Sequence, residues 1–353
     1  MRIAQVSPLY ESVPPQLYGG TERIVSYLTE KLVEHGHEVT LFASGDSITN
    51  AKLIPVCKKS LRLYGEGTDQ LSYHFVELQE VINLRKEFDI IHFHIDYLHY
   101  PVSTLNQYHH VSTLHGRQDI KGLDLLYRKY NFIPLVSISN HQQLPLPHAN
   151  WIETVYHGIP VDLLKPNFQT GQYLAFLGRI SPEKRVDLAI EIAIKAQLPI
   201  KIAAKIDVND QAYFEQEIKH LFNHPLVEYI GEINDSEKEN FLGNAIALLF
   251  PIDWPEPFGL VMIESMACAT PVIAFNRGSV PEVIDEGITG FLVNSVNEAV
   301  EVLKKIQRID RKKCRKQFEE RFASDIMTLN YERVYNTIIE MNNREKNKYV
   351  NAV

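Results

Sequence analysis

The chain has 353 residues, a length that favours two domains of ordinary size. Hydrophobic residues make up 45% and charged residues 23%, which is the balance of a folded globular protein and excludes a disordered or collagen-like one. The formal net charge of -8 argues against nucleic acid as a partner. The 3 cysteines are too few for a disulfide framework or a thiolate zinc site, so we expect a reducing, cytoplasmic environment.

Two segments of the sequence argue against a membrane protein. The segment Arg2–Ser7 has the pattern of a first β-strand, so we expect no secretion signal. The apolar run Ala245–Ile252 is far shorter than the roughly 18 residues that a membrane helix needs. We therefore expect no integral membrane segment and leave open a peripheral contact with the inner face of a membrane.

Short β-rich runs alternate with segments of helical periodicity along the chain, which is typical of parallel sheets with crossover helices. In the first half a helix is predicted from Thr21 to His35, and strands are predicted at Arg2–Ser7, Glu38–Phe42, Ile90–Phe93, Val111–Leu114, Leu135–Ser137 and Ile152–Tyr156. After a connector at 161–171, strands are predicted at Tyr173–Leu177, Ile200–Ala204, Val227–Ile230, Ala247–Phe250, Pro271–Ala274 and Gly290–Val293. The sequence therefore predicts an α/β protein with two doubly wound, Rossmann-like domains that face a central cleft.

The predicted domain limits are 1–165 for the N-terminal domain and 166–323 for the C-terminal domain. Helical periodicity continues beyond the last predicted strand, and we expect the segment 324–353 to pack back toward the N-terminal domain. In doubly wound sheets, ligands bind beyond the carboxyl ends of the strands. The chemistry should therefore lie on loops that follow strands.

Several common motifs are missing from the sequence. It contains no G-x-G-x-x-G after a strand, no G-x-x-x-x-G-K-[ST] and no H-E-x-x-H, which disfavours a dinucleotide oxidoreductase, a P-loop kinase and a zinc protease. It also lacks an Asp-x-Asp pair that would hold a divalent metal on a diphosphate. We therefore expect no metal and no cofactor, and anions bound by protein cations.

The segment Gly178–Arg185, Gly-Arg-Ile-Ser-Pro-Glu-Lys-Arg, carries such cations directly after a predicted strand. Ser181 is predicted as the N-cap of the next helix and Pro182 as its first residue. The helix N-terminus would then point at the same ligand as Arg179 and Lys184, and a diphosphate fits that combination. Taken alone, an exposed helix start with surface charge explains the segment equally well.

The segment 253–267 follows another predicted strand and is the most specific signal in the chain. Glu256 stands between two prolines, where neither helix nor strand can form, so we expect its carboxylate to be displayed on a loop. Gly259 admits a close backbone approach, and a helix is predicted from Leu260 with free N–H groups at its start. Glu264 comes one turn later, although an exposed helix residue is the simpler explanation for it alone.

Two further elements lie in the N-terminal half. The segment Tyr18–Arg23 has a glycine pair, Gly19 and Gly20, before the first helix, with Thr21 as the expected N-cap.

The segment Ser112–Gly116 places His115 just beyond a strand end, where a histidine can contact a ligand. His92 and His94, on a predicted strand, are better explained as core or cleft-wall residues.

Together, these four segments resemble glycosyltransferase family 4, which contains retaining nucleotide-sugar enzymes of the GT-B fold. The resemblance covers nearly the whole chain and extends to Ala-Cys-Ala-Thr-Pro-Val from Ala267 and Gly-Ser-Val-Pro-Glu from Gly278. One departure is Cys268–Ala269, where many relatives carry Ala or Ser followed by Gly; we expect it to affect packing only.

The resemblance implies roles for the candidate residues. Arg179 and Lys184 would neutralise the donor diphosphate, and Glu256 would hold hydroxyls of the transferred sugar. Glu264 would bind the nucleotide ribose, and His115 would contact the sugar near the reacting centre. The implied catalytic set is His115, Arg179, Lys184 and Glu256. The implied donor-binding set is Gly19, Gly20, Arg179, Lys184, Glu256, Phe258, Gly259, Leu260 and Glu264.

The resemblance further implies a retaining, metal-independent transferase that moves a sugar from a nucleotide sugar, with UDP favoured, to a hydroxyl acceptor. The acceptor would be a saccharide, a lipid-linked saccharide or a small molecule. The N-terminal domain would hold the acceptor and the C-terminal domain the donor. A nucleotide-sugar epimerase or hydrolase and an inactive nucleotide-sugar-binding relative remain alternatives. The basic run from Lys304 to Lys316 could touch anionic lipid, but a solvated helix explains it more simply.

Overall fold

The computed structural model describes residues 1–16, 19–65, 67–106 and 108–350. The chain divides into two compact units, Met1–Gly158 with Ser324–Val353, and Ile159–Ala323. The predicted boundary after residue 165 lies somewhat further along the chain. The segment 159–165 belongs to the second unit because the Arg315 guanidinium there donates to the carbonyl oxygens of Val161 at 2.7 Å and Leu164 at 3.0 Å.

The first unit is built on a parallel sheet. Its strands are β1 (Arg2–Val6), β2 (Glu38–Ser44), β3 (Lys52–Cys57), β4 (Ile90–Phe93), β5 (His110–Thr113), β6 (Leu135–Ser137) and β7 (Trp151–Thr154). Its first helices are α1 (Gly20–Glu34), α2 (Gln70–Leu84), α3 (Tyr100–Leu105), α4 (Leu123–Lys129) and α5 (Asn140–Gln143). The strands are ordered β3-β2-β1-β4-β5-β6-β7. Ile3 of β1 lies beside Val39 of β2 and Ile90 of β4, so the chain order reverses between β1 and β4.

The second unit repeats this arrangement. Its strands are β8 (Tyr173–Arg179), β9 (Ile200–Lys205), β10 (Val227–Gly231), β11 (Ala245–Phe250), β12 (Val272–Phe275) and β13 (Gly290–Val293). Its helices are α6 (Val186–Ala196), α7 (Gln211–Tyr213), α8 (Asp235–Gly243), α9 (Leu260–Ala267), α10 (Val280–Val283), α11 (Val296–Leu303) and α12 (Arg311–Arg321). The strands are ordered β10-β9-β8-β11-β12-β13 and pair in parallel. The predicted fold class, two doubly wound α/β domains, is confirmed.

The last helix, α13 (Ser324–Val350), belongs to the first unit. Its Tyr331 and Tyr335 are fully buried, and the Tyr335 hydroxyl lies 2.8 Å from Nδ1 of His92 on β4. Short 3₁₀ helices occur at Leu61–Tyr64, Arg85–Glu87, Val208–Asp210, Lys219–Asn223 and Ile306–Arg308, and a π-helical turn occurs at Phe214–Ile218.

Burial explains why these runs form strands. All residues of β4 are buried, as are Ile3–Val6 of β1, so the central strands are covered on both faces by helices. The edge strand β3 has no such run, because Lys52 and Pro55 interrupt it and half of its residues are partly exposed. It was not predicted from the sequence.

Two findings concern membranes. No helix in the described ranges is both long enough and apolar enough to span a bilayer. In the basic run, Arg311 donates to the carbonyl oxygen of Asn167 at 3.2 Å and to the Thr270 hydroxyl at 3.0 Å, and Arg315 is buried. These two arginines therefore attach α12 to its own unit, which leaves fewer of the run's cations for lipid.

Candidate functional site

The order of strands indicates where the second unit binds a ligand. In doubly wound sheets, the ligand lies beyond the carboxyl ends of the two strands where the order reverses, here β8 and β11. The segment with Arg179 and Lys184 follows β8, and the segment with Glu256 follows β11. Both motifs singled out in the sequence of this unit therefore start from the reversal point.

The start of α6 differs from the prediction. The helix begins at Val186, and its N-cap is Arg185 in the left-handed conformation with φ 54°, so Ser181 is not the N-cap and Pro182 is not in the first helical turn. Residues 181–184 form a turn instead, closed by the Lys184 N–H donating to the Ser181 carbonyl at 3.1 Å. Pro182 is compatible with both structures, since it also suits the second position of a turn.

Lys184 and Glu256 form an ion pair at this reversal point. The Lys184 ammonium contacts Oε2 of Glu256, and the Trp254 indole N–H donates to the same oxygen at 2.9 Å. The ammonium also lies 5.1 Å from the Trp254 ring centroid and 5.6 Å from that of Phe250, within cation–π range. The prediction that the Glu256 carboxylate is exposed is wrong, because the residue is only 8% exposed. A buried carboxylate needs such partners to stay ionised.

The loop that carries Glu256 is clamped by the loop after β12. The Ser279 N–H donates to the Glu256 carbonyl at 3.0 Å, and the Ser279 hydroxyl donates to the Phe258 carbonyl at 2.9 Å. Gly278 has φ 55°, and a Cβ there would lie 2.4 Å from the Glu256 nitrogen. Only glycine allows this approach, which fixes the backbone on both sides of the carboxylate.

Helix α9 begins as predicted, at Leu260, after Gly259 in the left-handed conformation with φ 82°. No side chain of the described residues caps it, so its first N–H groups are available to an anion. Phe258 is buried against Phe322, with ring centroids 6.0 Å apart, so its contribution to a ligand would come from the backbone.

Glu264 lies one turn into α9. It is 6% exposed, not an exposed helix residue, and accepts a hydrogen bond from the Lys238 ammonium at 2.7 Å. Lys238 also pairs with Asp235 at 3.1 Å. Lys238 was not predicted as a site residue, because it lies far from Glu264 along the chain and no sequence motif links the two.

Arg179 is the last residue of β8 and is also paired. Its guanidinium contacts Glu183 at 2.5 Å and Asp210 at 3.4 Å. Burial alone would raise the pKa of the Glu183 carboxyl, but hydrogen bonds from its own backbone N–H and from Arg179 hold that pKa below its usual value. Both acids were missed from the sequence.

The remaining predicted residues belong to the first unit. Gly19 has extended backbone and is the N-cap of α1, and a Cβ there would lie 2.7 Å from Cβ of Pro15. Gly20 is the first helical residue, so the predicted N-cap, Thr21, is already inside the helix. Tyr18, where this motif starts, lies outside the described residues.

His115 follows β5, the neighbour of β4, and contacts two other histidines. Its Nε2 lies 2.9 Å from Nδ1 of His94, and its ring stacks on His157 with centroids 5.3 Å apart. Burial lowers the pKa of His115 to about 3 and that of His94 well below its usual value. His92 and His94 are buried and hydrogen-bonded, which confirms the expectation that they are core residues.

The structure thus brings Lys184 and Glu256 into contact and places Arg179, Phe258, Gly259, Leu260 and Glu264 in the same unit. Gly19, Gly20 and His115 lie in the other unit. Within the described ranges, no group of three or more His, Cys, Asp or Glu side chains is arranged to hold a metal ion.

Two doubly wound α/β units, one with cations and buried glutamates at its reversal point, fit the GT-B fold of glycosyltransferases. Two family models match the chain: "Glycosyltransferase Family 4" over residues 18–159 and "Glycosyl transferases group 1" over residues 165–323. The chain belongs to glycosyltransferase family 4, as its motifs indicated.

Relatives agree with this assignment. The N-acetyl-alpha-D-glucosaminyl L-malate synthase of Bacillus anthracis is 26% identical over 91% of this chain and 94% of its own length. An uncharacterised glycosyltransferase of Methanocaldococcus jannaschii is 27% identical over 64% of this chain and 68% of its own.

Solved structures share the fold. Sucrose-phosphate synthase from Thermosynechococcus elongatus has a TM-score of 0.79 at 16% identity, covering 96% of this chain and 99% of its own. HepE from Anabaena, solved in complex with UDP and glucose, has a TM-score of 0.74 at 16% identity, covering 95% and 99%.

Proposed function

We propose that the protein is a retaining glycosyltransferase that moves a sugar from a nucleotide-diphosphate sugar, with UDP as the favoured nucleotide, to a hydroxyl acceptor. The observation that carries this proposal is the buried Lys184–Glu256 pair at the reversal point of the second unit. A nucleotide sugar offers both of the groups that such a pair can take, since its diphosphate suits the ammonium and its sugar hydroxyls suit the carboxylate. The complex of HepE with UDP and glucose supports the choice of UDP.

In the proposed reaction, positive charge develops at the anomeric carbon and negative charge on the departing diphosphate. Lys184, Arg179 and the uncapped start of α9 stabilise the diphosphate, so protein groups do the work that a metal ion does elsewhere. Retaining glycosidases use a carboxylate nucleophile instead. Glu256 and Glu264 are each held by a lysine, which suits ligand-binding roles better than nucleophilic attack. We therefore favour a same-face reaction, in which a diphosphate oxygen takes the acceptor's proton.

The identity of the acceptor is a separate part of the proposal. The Bacillus anthracis relative matches along nearly its whole length, and its name is that of a synthase of N-acetyl-alpha-D-glucosaminyl L-malate, a sugar joined to the small hydroxyl compound L-malate. A small hydroxyl compound of this kind is the first acceptor to test, followed by saccharides and lipid-linked saccharides. We place the reaction in the cytoplasm, in the synthesis of a polysaccharide, glycolipid or other glycoconjugate.

The decisive experiment is a thermal-shift panel of UDP, GDP, ADP and UDP-sugars, each with and without EDTA. A ligand at 100 times its dissociation constant stabilises the folded state by about 2.7 kcal/mol, which a melting curve detects readily. We expect a shift with UDP and UDP-sugars that EDTA does not change. No shift with any nucleotide would refute the donor site, and a shift that EDTA abolishes would refute metal independence.

Product analysis separates the alternative functions. A transferase forms a glycosylated product only when an acceptor is present, whereas an epimerase or a hydrolase converts the UDP-sugar without one. Nucleotide binding without any sugar release would identify an inactive relative. We expect Arg179→Ala to lower turnover at least tenfold, the effect of removing one charge-assisted hydrogen bond to phosphate.

A further inference from the structure

His115 ends a buried chain of hydrogen bonds that connects it to the last helix of its unit. His115 Nε2 faces Nδ1 of His94 at 2.9 Å, and His94 Nε2 lies 2.8 Å from Oε1 of Gln5. The Gln5 amide N–H donates to the Tyr335 hydroxyl at 3.1 Å, which lies 2.8 Å from Nδ1 of His92. Gln5 and Tyr335 are fully buried, so water does not compete for these bonds.

The chain continues on the other side of His92. Its Nε2 lies 2.7 Å from the Thr113 hydroxyl, which lies 2.9 Å from the Tyr331 hydroxyl. The hydrogen-bond partners of these histidines along the chain are amide, hydroxyl and imidazole groups, none of them a carboxylate. Burial lowers the pKa of His92 and of His94 well below the usual value, so the imidazoles are neutral.

Gln5 gives the chain a direction. Its Oε1 carries no hydrogen, so the hydrogen in the contact with His94 lies on Nε2 of His94. A neutral imidazole has one ring hydrogen, so Nδ1 of His94 is an acceptor, and the facing Nε2 of His115 must carry the hydrogen. The single hydrogen of neutral His115 is then used, and its Nδ1 is left with a lone pair.

That lone pair has no partner. Nδ1 of His115 is buried and makes no hydrogen bond to any described residue. Buried polar atoms are almost always satisfied in native proteins, and an orphaned one marks a place where a ligand or water completes the set. A lone pair accepts a hydrogen, so the group that completes this set is a donor such as a hydroxyl.

We propose that Gln5 and His94 are positioning residues that hold His115 in the tautomer with its hydrogen on Nε2, so that Nδ1 accepts a hydrogen bond from a substrate hydroxyl. The tautomer follows from the neutral state of the histidines and from the orientation of the Gln5 amide, whose oxygen faces His94 and whose nitrogen donates to Tyr335. Only the identity of the ligand, a hydroxylated sugar or acceptor, rests on the proposed function. The same chain explains why polar Gln5 lies on the central strand β1, where apolar residues are usual.

The experiment uses two substitutions at one position. At a pH near 6, burial keeps the carboxyl of Gln5→Glu protonated, so it accepts from His94 and donates to Tyr335 as the amide does. Gln5→Met has a similar volume but no acceptor, so His94 loses the bond that fixes its tautomer. The readout is the ¹⁵N resonance of His115 Nδ1 in protein with labelled histidine, assigned by its disappearance in His115→Asn.

We expect Nδ1 of His115 to be unprotonated in the wild type and in Gln5→Glu, and partly or wholly protonated in Gln5→Met. Once a donor substrate is identified, kcat/KM should fall roughly tenfold in Gln5→Met, the effect of one hydrogen bond, and less in Gln5→Glu. A merely structural role for Gln5 predicts the reverse order, because methionine suits a buried site better than glutamate.

Tyr331→Phe is the matched control. It removes a buried hydroxyl from the far end of the same chain while leaving Gln5, His94 and their bonds in place, so the His115 resonance should not change. A wild-type His115 with its hydrogen on Nδ1 would overturn the proposal without any bearing on the donor site. So would equal Nδ1 resonances in the glutamate and methionine variants.

Discussion

Lys184→Met tests the two roles that the Lys184–Glu256 pair combines. The side chains of the pair are 18% and 10% exposed, so the ion pair is largely buried. Removing one partner of a fully buried pair costs about 3–5 kcal/mol. Glu256 keeps its bond from the Trp254 indole and some contact with water, so we expect a loss of about 2 kcal/mol in the free energy of unfolding. For a unit of this size that corresponds to a melting temperature lower by about 4–8 °C.

The same substitution should weaken ligand binding independently of stability. A charge-assisted hydrogen bond contributes about 1.5–3 kcal/mol, so the dissociation constant of UDP should rise roughly 10- to 150-fold. Isothermal titration with UDP measures this constant on folded protein. Lys195→Met is the matched control, because Lys195 forms an exposed pair with Glu191 on α6 and should affect neither quantity by more than a small amount.

The double variant Lys184→Met with Glu256→Gln separates the two effects. The neutral amide no longer needs a cation, so most of the lost stability should return, whereas UDP binding should stay weak because the ammonium is still missing. If the double variant binds UDP as tightly as the wild type, Lys184 serves only to neutralise Glu256. Its assignment to the diphosphate would then be wrong.

Four other predictions follow from single contacts. Glu264→Gln should remove most of the preference for UDP over 2′,3′-dideoxy-UDP, measured by titration, and an unchanged preference would exclude the ribose role. Gly278→Ala should lower the free energy of unfolding by about 3 kcal/mol or more, because its Cβ would lie 2.5 Å from a backbone oxygen. Gly287→Ala is the control: Gly287 has φ 74° but lies in open space, so urea unfolding should show a loss of only about 1 kcal/mol. Ala269→Gly should raise the unfolding free energy by about 1 kcal/mol, because Ala269 has φ 62°; a decrease would contradict this. Glu77 is fully buried, and neither of its oxygens has a hydrogen-bond partner among the described residues, so burial raises its pKa well above the usual value. The folded state then binds the proton more tightly than the unfolded state, so the free energy of unfolding falls as the pH rises above about 4.3. The stability advantage of Glu77→Gln over the wild type, measured by urea unfolding, should therefore grow by about 1.4 kcal/mol per pH unit until the folded-state pKa is reached. A difference that does not change with pH would show that Glu77 is ionised in the folded protein.

The fold could be read from the sequence because most strands are continuous apolar runs. Strand β1 was predicted as Arg2–Ser7 and β8 as Tyr173–Leu177, and the structure changes these ends by one or two residues. The edge strand β3 was not predicted, because this partly exposed strand has neither a continuous apolar run nor a strict alternation of apolar and polar residues. The start of α6 was predicted at the wrong residue for a different reason: Ser181 and Pro182 suit a tight turn as well as a helix start.

The site was predictable in its motifs but not in its pairings. Spacing along the chain placed Glu256 and Lys184 after strands that end at the same edge, yet it could not show that the two side chains touch. Glu256 is buried together with that contact, so the expectation of an exposed carboxylate was wrong. Lys238 lies on α8, in a segment without any motif, and only the packing of α8 against α9 brings it to Glu264.

Under the proposed function, the pairings let one site bind a ligand with two unlike halves. In the free protein Glu256 is balanced by Lys184, Glu264 by Lys238 and Glu183 by Arg179, so no carboxylate or cation of these three pairs is buried without a partner. A diphosphate that draws Lys184 away leaves Glu256 in need of new donors, and the hydroxyls of a sugar are such donors. A nucleotide or a free sugar alone satisfies one member of the pair and leaves the other uncompensated. An intact nucleotide sugar satisfies both at once, and the two halves of the donor therefore bind more tightly joined than their separate affinities would suggest.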